Sequence, residues 1–243
     1  MNIGIIGSGE MGACFAAKFA KLGHEVSIAN SRGPDSLQQF AKEIGVKAAT
    51  VEEATKNKKL IIIAIPQKNI PNLPKNLFKQ LPKDVVVVDT GNYYPNLRDG
   101  AIPALEKHGI DSLWVQEQLG IPVIKVFNSI LATSIRDLGS PKREKNRIAL
   151  AISGDDAKAK QIVFLLVEEL GFDPFDMGDI SQSWRQQPGS PIYCRDINLE
   201  ELKRRLDKMG KNWSDMRNVI LSKRTADEVI MKADYPAYLK TLD

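Results

Sequence analysis

Three glycines in Gly7-Ser8-Gly9-Glu10-Met11-Gly12 fall at the G-x-G-x-x-G spacing, immediately after an apolar run made by Ile3, Ile5 and Ile6. That spacing suits the binding of a pyrophosphate. Gly7 allows a tight turn, Gly9 lets the backbone approach a ligand without a Cβ in the way, and Gly12 lets a following helix lie close to a sheet. Such a helix offers unpaired N–H groups and the positive end of its dipole to the phosphates. Asn30-Ser31-Arg32 stands where an NAD site usually places the Asp or Glu that accepts hydrogen bonds from the ribose 2′-OH. A carboxylate there would repel a 2′-phosphate, whereas Arg32 can pair with it and Ser31 can donate a hydroxyl. The pattern points to NADP(H) over NAD(H), with Gly7, Ser8, Gly9, Glu10, Met11, Gly12, Asn30, Ser31 and Arg32 as its contacts.

The elements that must present these residues are legible around them. Met11, Phe15, Phe19 and Leu22 recur at helical spacing, Gly23 closes that helix, and residues 25–29 alternate toward a second strand. Pro34 opens a helix with Leu37, Phe40, Ala41 and Ile44 on one face. Residues 46–49 read as a third strand, and Thr50-Val51-Glu52-Glu53 as a capping box. Leu60-Ile61-Ile62-Ile63-Ala64-Ile65 is uninterrupted and rich in β-branched residues, the mark of a strand covered by helices on both faces. Residues 84–89 repeat the pattern. Helices are expected over 101–108 and 112–119, a sixth strand over 122–128, a helix over 130–138, a strand over 147–153, a helix over 157–170 and a last strand over 172–177. Two charged helices follow, over 198–209 and 214–226. The fold class is α/β, a Rossmann-type doubly wound, mostly parallel sheet with a C-terminal helical extension. An NADP-binding unit is expected over residues 1–180, with an extension over 181–243 packing on the same domain.

Ligands of an open parallel sheet sit outside the carboxyl ends of its strands. That rule brings in Pro66 after the fourth strand, Thr90 and Asn92 after the fifth, and Asn128 and Ser129 after the sixth. Thr90 and Asn92 either contact the ligand or cap their loop; Ser129 either caps the helix from Ile130 or faces a nicotinamide together with Asn128. Asp155 and Asp156 have no third ligand spaced with them and read as helix caps, so no metal site is expected. His24 and His108 are not placed as general acids, and no Ser-His-Asp or Cys-His set is evident. Residues 183–193, SWRQQPGSPIY, have no secondary-structure period yet are too aromatic for a disordered linker. Trp184 and Arg185 either line an acceptor pocket or brace a subunit contact.

With 243 residues, 43% of them hydrophobic, the chain can bury a sizeable core. Its longest apolar run, 60–66, is far short of the roughly 20 residues of a membrane helix. The N-terminus enters the first strand without room for an export signal, and Cys14 and Cys194 have neither metal nor redox spacing. A formal net charge of +4 with interleaved signs indicates neither nucleic acid nor membrane as a partner. A cytoplasmic protein with a small-molecule substrate is expected, as a homodimer.

GIIGSGEMG at 4–12, ANSRG at 29–33, the IIIAIP strand, VVVVDTGN, KVFNSI at 125–130, and ISGDD with the later LGF and DMGDI segments together resemble the NADPH:coenzyme F420 oxidoreductase-like proteins. These are dinucleotide-binding enzymes related to the cytoplasmic domain of the STEAP metalloreductases, and the resemblance runs in register over roughly residues 1–180. It implies that Ser31 and Arg32 hold the adenosine 2′-phosphate. It also implies that the nicotinamide lies near Ile65, Pro66 and Asn128, with F420 or a flavin stacked against it as co-substrate. Two stretches depart from the family: Gln67-Lys68-Asn69 replaces an aromatic and acidic pair, and SWRQQPGSPIY replaces an apolar helix. Hydride transfer between two aligned rings asks little of protein acids or bases. The expected activity is that of an NADP(H)-dependent oxidoreductase with a deazaflavin, flavin or similar acceptor. A non-catalytic NADP(H)-binding redox sensor and a small carbonyl or imine reductase are the alternatives.

Overall fold

Strand, turn and helix open the chain where the residue pattern puts them. The computed structural model, which describes residues 1–74 and 76–242, forms β1 at Asn2–Ile6, α1 at Glu10–Lys21 and β2 at Glu25–Ala29. β1 and β2 pair in parallel from Asn2 with Glu25 to Ile6 with Ala29, and α1 buries Phe15, Ala16 and Phe19 against them. The chain continues through α2 (Gln38–Ile44), β3 (Lys47–Ala48), α3 (Val51–Thr55), β4 (Leu60–Ile63) and β5 (Val86–Asp89). Next come α4 (Pro103–His108), α5 (Asp111–Leu119), β6 (Ile124–Lys125), α6 (Ala132–Asp137), β7 (Ala149–Ser153), α7 (Ala157–Glu169) and β8 (Asp173–Gly178). Helices α8 (Leu199–Lys208), α9 (Trp213–Ala233) and α10 (Tyr235–Lys240) follow.

The strands stand in the order β3-β2-β1-β4-β5-β6-β7-β8, of which the first six form the Rossmann arrangement. Neighbours pair in parallel except β6 with β7, so the fold is the doubly wound, mostly parallel sheet expected. Alternate side chains of a strand point to opposite faces and both faces are covered, which explains why β4 and the Val86, Val87 and Val88 positions of β5 are all apolar. Leu60, Ile62, Val86 and Val88 join one core with Phe15 and Phe19, while Ile61, Ile63 and Val87 join another with Trp114 and Leu119 of α5. A third cluster ties Ala149 and Ala151 of β7 to Trp184, Leu202, Leu206 and Ile220, so α8 and α9 close over the far end of the sheet.

Several boundaries differ from those expected. The segment after Gly33 begins as a 3-10 turn, Pro34–Leu37, before α2 starts. The sixth strand is confined to Ile124–Lys125, because Phe127 adopts φ 63° and carries the chain out of the ladder. Ser129 does not cap a helix, since α6 begins at Ala132 behind Leu131. α9 runs well past residue 226, and α10 adds a helix that the charge pattern does not announce. The capping box does form, with Thr50 Oγ1 accepting from Glu53 N and Glu53 Oε2 accepting from Thr50 N. Asp156 caps α7 as expected, accepting from Lys158 N and Ala159 N. Among the described residues, no helix is long and apolar enough to cross a membrane.

Candidate functional site

The glycines of the first turn are held there for different reasons. Gly7 has φ 117°, its N–H donates to the Ala29 carbonyl at 2.8 Å, and a Cβ on it would strike the Ala64 carbonyl. Gly12 lies against the same turn, and a Cβ there would strike the Gly7 carbonyl oxygen. Gly9 is different. Its φ of −68° suits any residue, and a Cβ would meet nothing within 4 Å. The fold therefore demands glycine at 7 and 12, while at 9 it leaves open space over the N-terminus of α1. No side chain caps that N-terminus, so its first-turn N–H groups are available to an anion.

A cleft of ≈ 720 Å³ opens over this turn. It runs from Ser31 and Arg32 past Gly7, Ser8 and Gly9 to Ile65 and Pro66, with Asn69 and Leu73 on its far wall and Glu52 of α3 at its side. Asn30 ties the two edges together. Its Nδ2 donates to Ser8 Oγ at 3.1 Å and Ser36 Oγ at 3.0 Å, and its Oδ1 accepts the Arg32 N–H at 2.9 Å. The side chains of Ser31 and Arg32 are exposed at the cleft's end. Of the remaining expected contacts, Glu10 is exposed on the first turn of α1, Met11 is partly packed into the core, and Gly12 lies beneath.

Past Pro66 the strand ends lead to β5 and β6. Thr90 Oγ1 donates to the Ile63 carbonyl at 3.0 Å, which is loop capping. Asn128 is 2% exposed and fully bonded: Nδ2 donates to Asn92 Oδ1 and the Gln186 carbonyl, and Oδ1 accepts from Gln186 Nε2. Ser129 is buried beside it, its carbonyl accepting the Cys194 N–H. Asn92 is the partly exposed member of the group. Its position at a strand end was the signal in the sequence.

Under the 89–92 turn lies an ion pair that sequence reasoning missed. Lys125 Nζ meets Asp89 Oδ2 at 2.9 Å with both side chains buried, and also donates to the Gly91 carbonyl. Ser112 Oγ donates to Asp89 Oδ2 and the Gly91 N–H to Asp89 Oδ1, each at 2.8 Å. Asp111, also buried, accepts the Tyr93 N–H at 3.0 Å. Burial pushes its carboxyl up to about 6, against the pull of Lys125 and Arg224, with Asp89 adding to the rise. A folded-state pKa above the unfolded value of 3.8 means no penalty below pH 3.8 and a growing one as pH rises through about 6. Asp111→Asn is therefore expected to be more favourable relative to wild type at about pH 8 than at about pH 5 in urea denaturation. An equal difference at both would show that Asp111 does not titrate between them.

Trp184 and Arg185 both pack onto the C-terminal helices, through Trp213 of α9 and Leu206 of α8. Trp184 is 1% exposed and packs on Trp213, with ring centroids 5.5 Å apart. Arg185 Nη2 donates to the Leu206 carbonyl at the end of α8. Segment 183–193 is an internal brace.

Residues 2–93 match the family described as NADP oxidoreductase, coenzyme F420-dependent. Among solved structures, the hypothetical protein SMa0349 from Sinorhizobium meliloti is similar at 29% identity and a TM-score of 0.65, covering 79% of this chain and 92% of its own. A candidate F420-dependent NADP reductase from Arthrobacter sp. FB24 is similar at 26% identity and a TM-score of 0.59, over 76% of this chain and 87% of its own. The metalloreductase STEAP2 of Mus musculus is 26% identical over 183 residues, 75% of this chain and 34% of STEAP2. The chain spans less than half the length of the curated relatives it matches. The likeness read from the sequence to the F420-dependent NADP oxidoreductases is thus borne out, carried by the family match over residues 2–93 and by the similarity to the Arthrobacter structure.

Proposed function

We propose that this protein is an NADP(H)-dependent oxidoreductase that exchanges hydride with a planar ring acceptor, F420 or a flavin. One observation carries the reading. Of the three glycines, the one the fold does not require, Gly9, is the one whose open side faces the cleft that ends at Ser31 and Arg32. Residues 1–180 are read as the cofactor-binding unit, with 181–243 packing on it.

The bound nicotinamide supplies the hydride, and the protein's part is placement. The first turn of α1, from Gly9 through Glu10 and Met11, holds the diphosphate with backbone N–H groups. Ser31 and Arg32 take the 2′-phosphate. Asn30 occupies the position of the ribose-binding carboxylate in NAD sites, and its amide is committed to Ser8 and Ser36. Ile65 and Pro66 give the ring an apolar wall, and Asn92 reads its polar edge with Asn128 and Ser129 behind.

The test mixes purified protein with NADPH and, separately, F420, FMN, FAD, a ferric chelate and small carbonyls and imines, following loss of nicotinamide absorbance. Turnover with a ring acceptor supports the reading. Turnover confined to carbonyls or imines, or binding without turnover, overturns it. Arg32→Ala is expected to weaken NADPH binding by about 1.5–3 kcal/mol while barely changing NADH, the scale of lost charge-assisted bonds. Equal losses for both would show that Arg32 does not read the phosphate.

A further inference from the structure

We propose that Gln186 and Tyr193 are positioning residues for the nicotinamide end of the cofactor, fixing the Asn92 side chain so that it offers the ligand an acceptor and no donor. The inference rests on the cofactor reading above. Three side-chain amides stand in a row, Gln186, Asn128 and Asn92, and each amide nitrogen carries two hydrogens. Gln186 Nε2 donates to the Ala151 carbonyl at 3.0 Å and to Asn128 Oδ1 at 2.9 Å. Asn128 Nδ2 donates to the Gln186 carbonyl at 2.7 Å and to Asn92 Oδ1 at 3.0 Å. Asn92 Nδ2 donates to the Asn128 carbonyl at 2.8 Å and to Tyr193 OH at 3.1 Å. At the inner end Ser153 Oγ donates to Gln186 Oε1 at 2.9 Å.

This row has one sense. Each amide places a hydrogen on a backbone carbonyl, which is never a donor, so reversing any amide would set two oxygens face to face. All the amide hydrogens are consumed, and only acceptor lone pairs are left over. Gln186 and Asn128 are buried, whereas Asn92 is partly exposed at the carboxyl end of β5. The free position on its side chain is the second lone pair of Oδ1, which complements the N–H of a nicotinamide carboxamide and nothing that lacks a donor. Tyr193 fixes the outer end, since its hydroxyl receives the second Asn92 hydrogen and meets the Tyr94 hydroxyl inside an apolar cluster with Tyr238 and Leu242. Both positioning residues come from the 183–193 brace, which links that segment to the site.

The test compares NADP⁺ with its 3-acetylpyridine analogue, which keeps the carbonyl and replaces the amide nitrogen by methyl, using calorimetric titration. Wild type is expected to favour NADP⁺ by about tenfold, one hydrogen bond's worth. Asn92→Ala and Tyr193→Phe narrow that preference to less than about threefold, on the same scale. Tyr94→Phe leaves it intact, because the Asn92–Tyr193 bond survives. If Tyr193→Phe does not fold by circular dichroism, Gln186→Leu is expected to show the same narrowing. Undiminished preference in the folded variants, or equal binding of both dinucleotides by wild type, overturns the proposal alone. Failure of wild type to bind NADP⁺ at all overturns the cofactor reading with it.

Discussion

Gly9→Ala weakens NADPH binding by roughly 10- to 100-fold while leaving the thermal midpoint of the ligand-free protein nearly unchanged. The added methyl projects into open space, so nothing in the folded chain resists it. Alanine is a poorer helix N-cap than glycine by some tenths of a kcal/mol, and this is offset by the smaller conformational freedom it gives the unfolded chain, worth about 0.4–1 kcal/mol. A pyrophosphate resting on that backbone meets the methyl directly, and a clash of this kind costs about 1–3 kcal/mol. Gly12→Ala inverts the pattern. Its methyl runs into the Gly7 carbonyl, a backbone atom that cannot rotate aside, so the folded protein loses about 1–3 kcal/mol or more and the midpoint drops by several degrees. Calorimetric melts and NADPH titrations of the two variants check both halves. Unchanged affinity in Gly9→Ala would mean that no phosphate sits over the turn.

The parts of this fold that could be read from sequence are those whose cause is local. Gly7, Gly9 and Gly12 lie within six positions of one another, the Thr50–Glu53 box closes on itself, and the period of Phe15 and Phe19 is set by one helix. The cleft from Arg32 to Pro66 followed because the sheet order is a property of alternating strands and helices. What escaped was determined by partners far apart in the chain. Gln186 and Gln187 look like loop residues, yet they are buried because Asn128 and Asp111, 58 and 76 positions away, bond to their amides. Trp184 reads as lining an acceptor pocket or bracing a subunit contact for the same reason, its burial depending on α8 and α9 folding back over β7. Phe127 ends a strand that its sequence would continue, because its left-handed conformation turns the chain toward Asn128 and α6. No periodicity reports such a reversal at a bulky residue.

Lys125→Met should destabilise the protein by about 3–5 kcal/mol, the typical cost of stranding one partner of a buried ion pair. Asp89 has no access to water, and the methionine removes its charge partner together with the donor to the Gly91 carbonyl. The remaining bonds from Ser112 and the Gly91 N–H hold the carboxylate in place without neutralising it. The same loss reaches the site, because Gly91 directly precedes Asn92. NADPH affinity is therefore expected to fall in the variant even at temperatures where it stays folded. The second change that isolates the electrostatic cause is Asp89→Asn. In the Lys125→Met background it removes the uncompensated charge and keeps an acceptor for the Gly91 N–H, so urea denaturation should show the double variant recovering at least about 2 kcal/mol of the loss. A double variant no more stable than Lys125→Met alone would show that the lysine acts through packing of its long side chain, and that the turn beneath Asn92 is held by shape and not by charge.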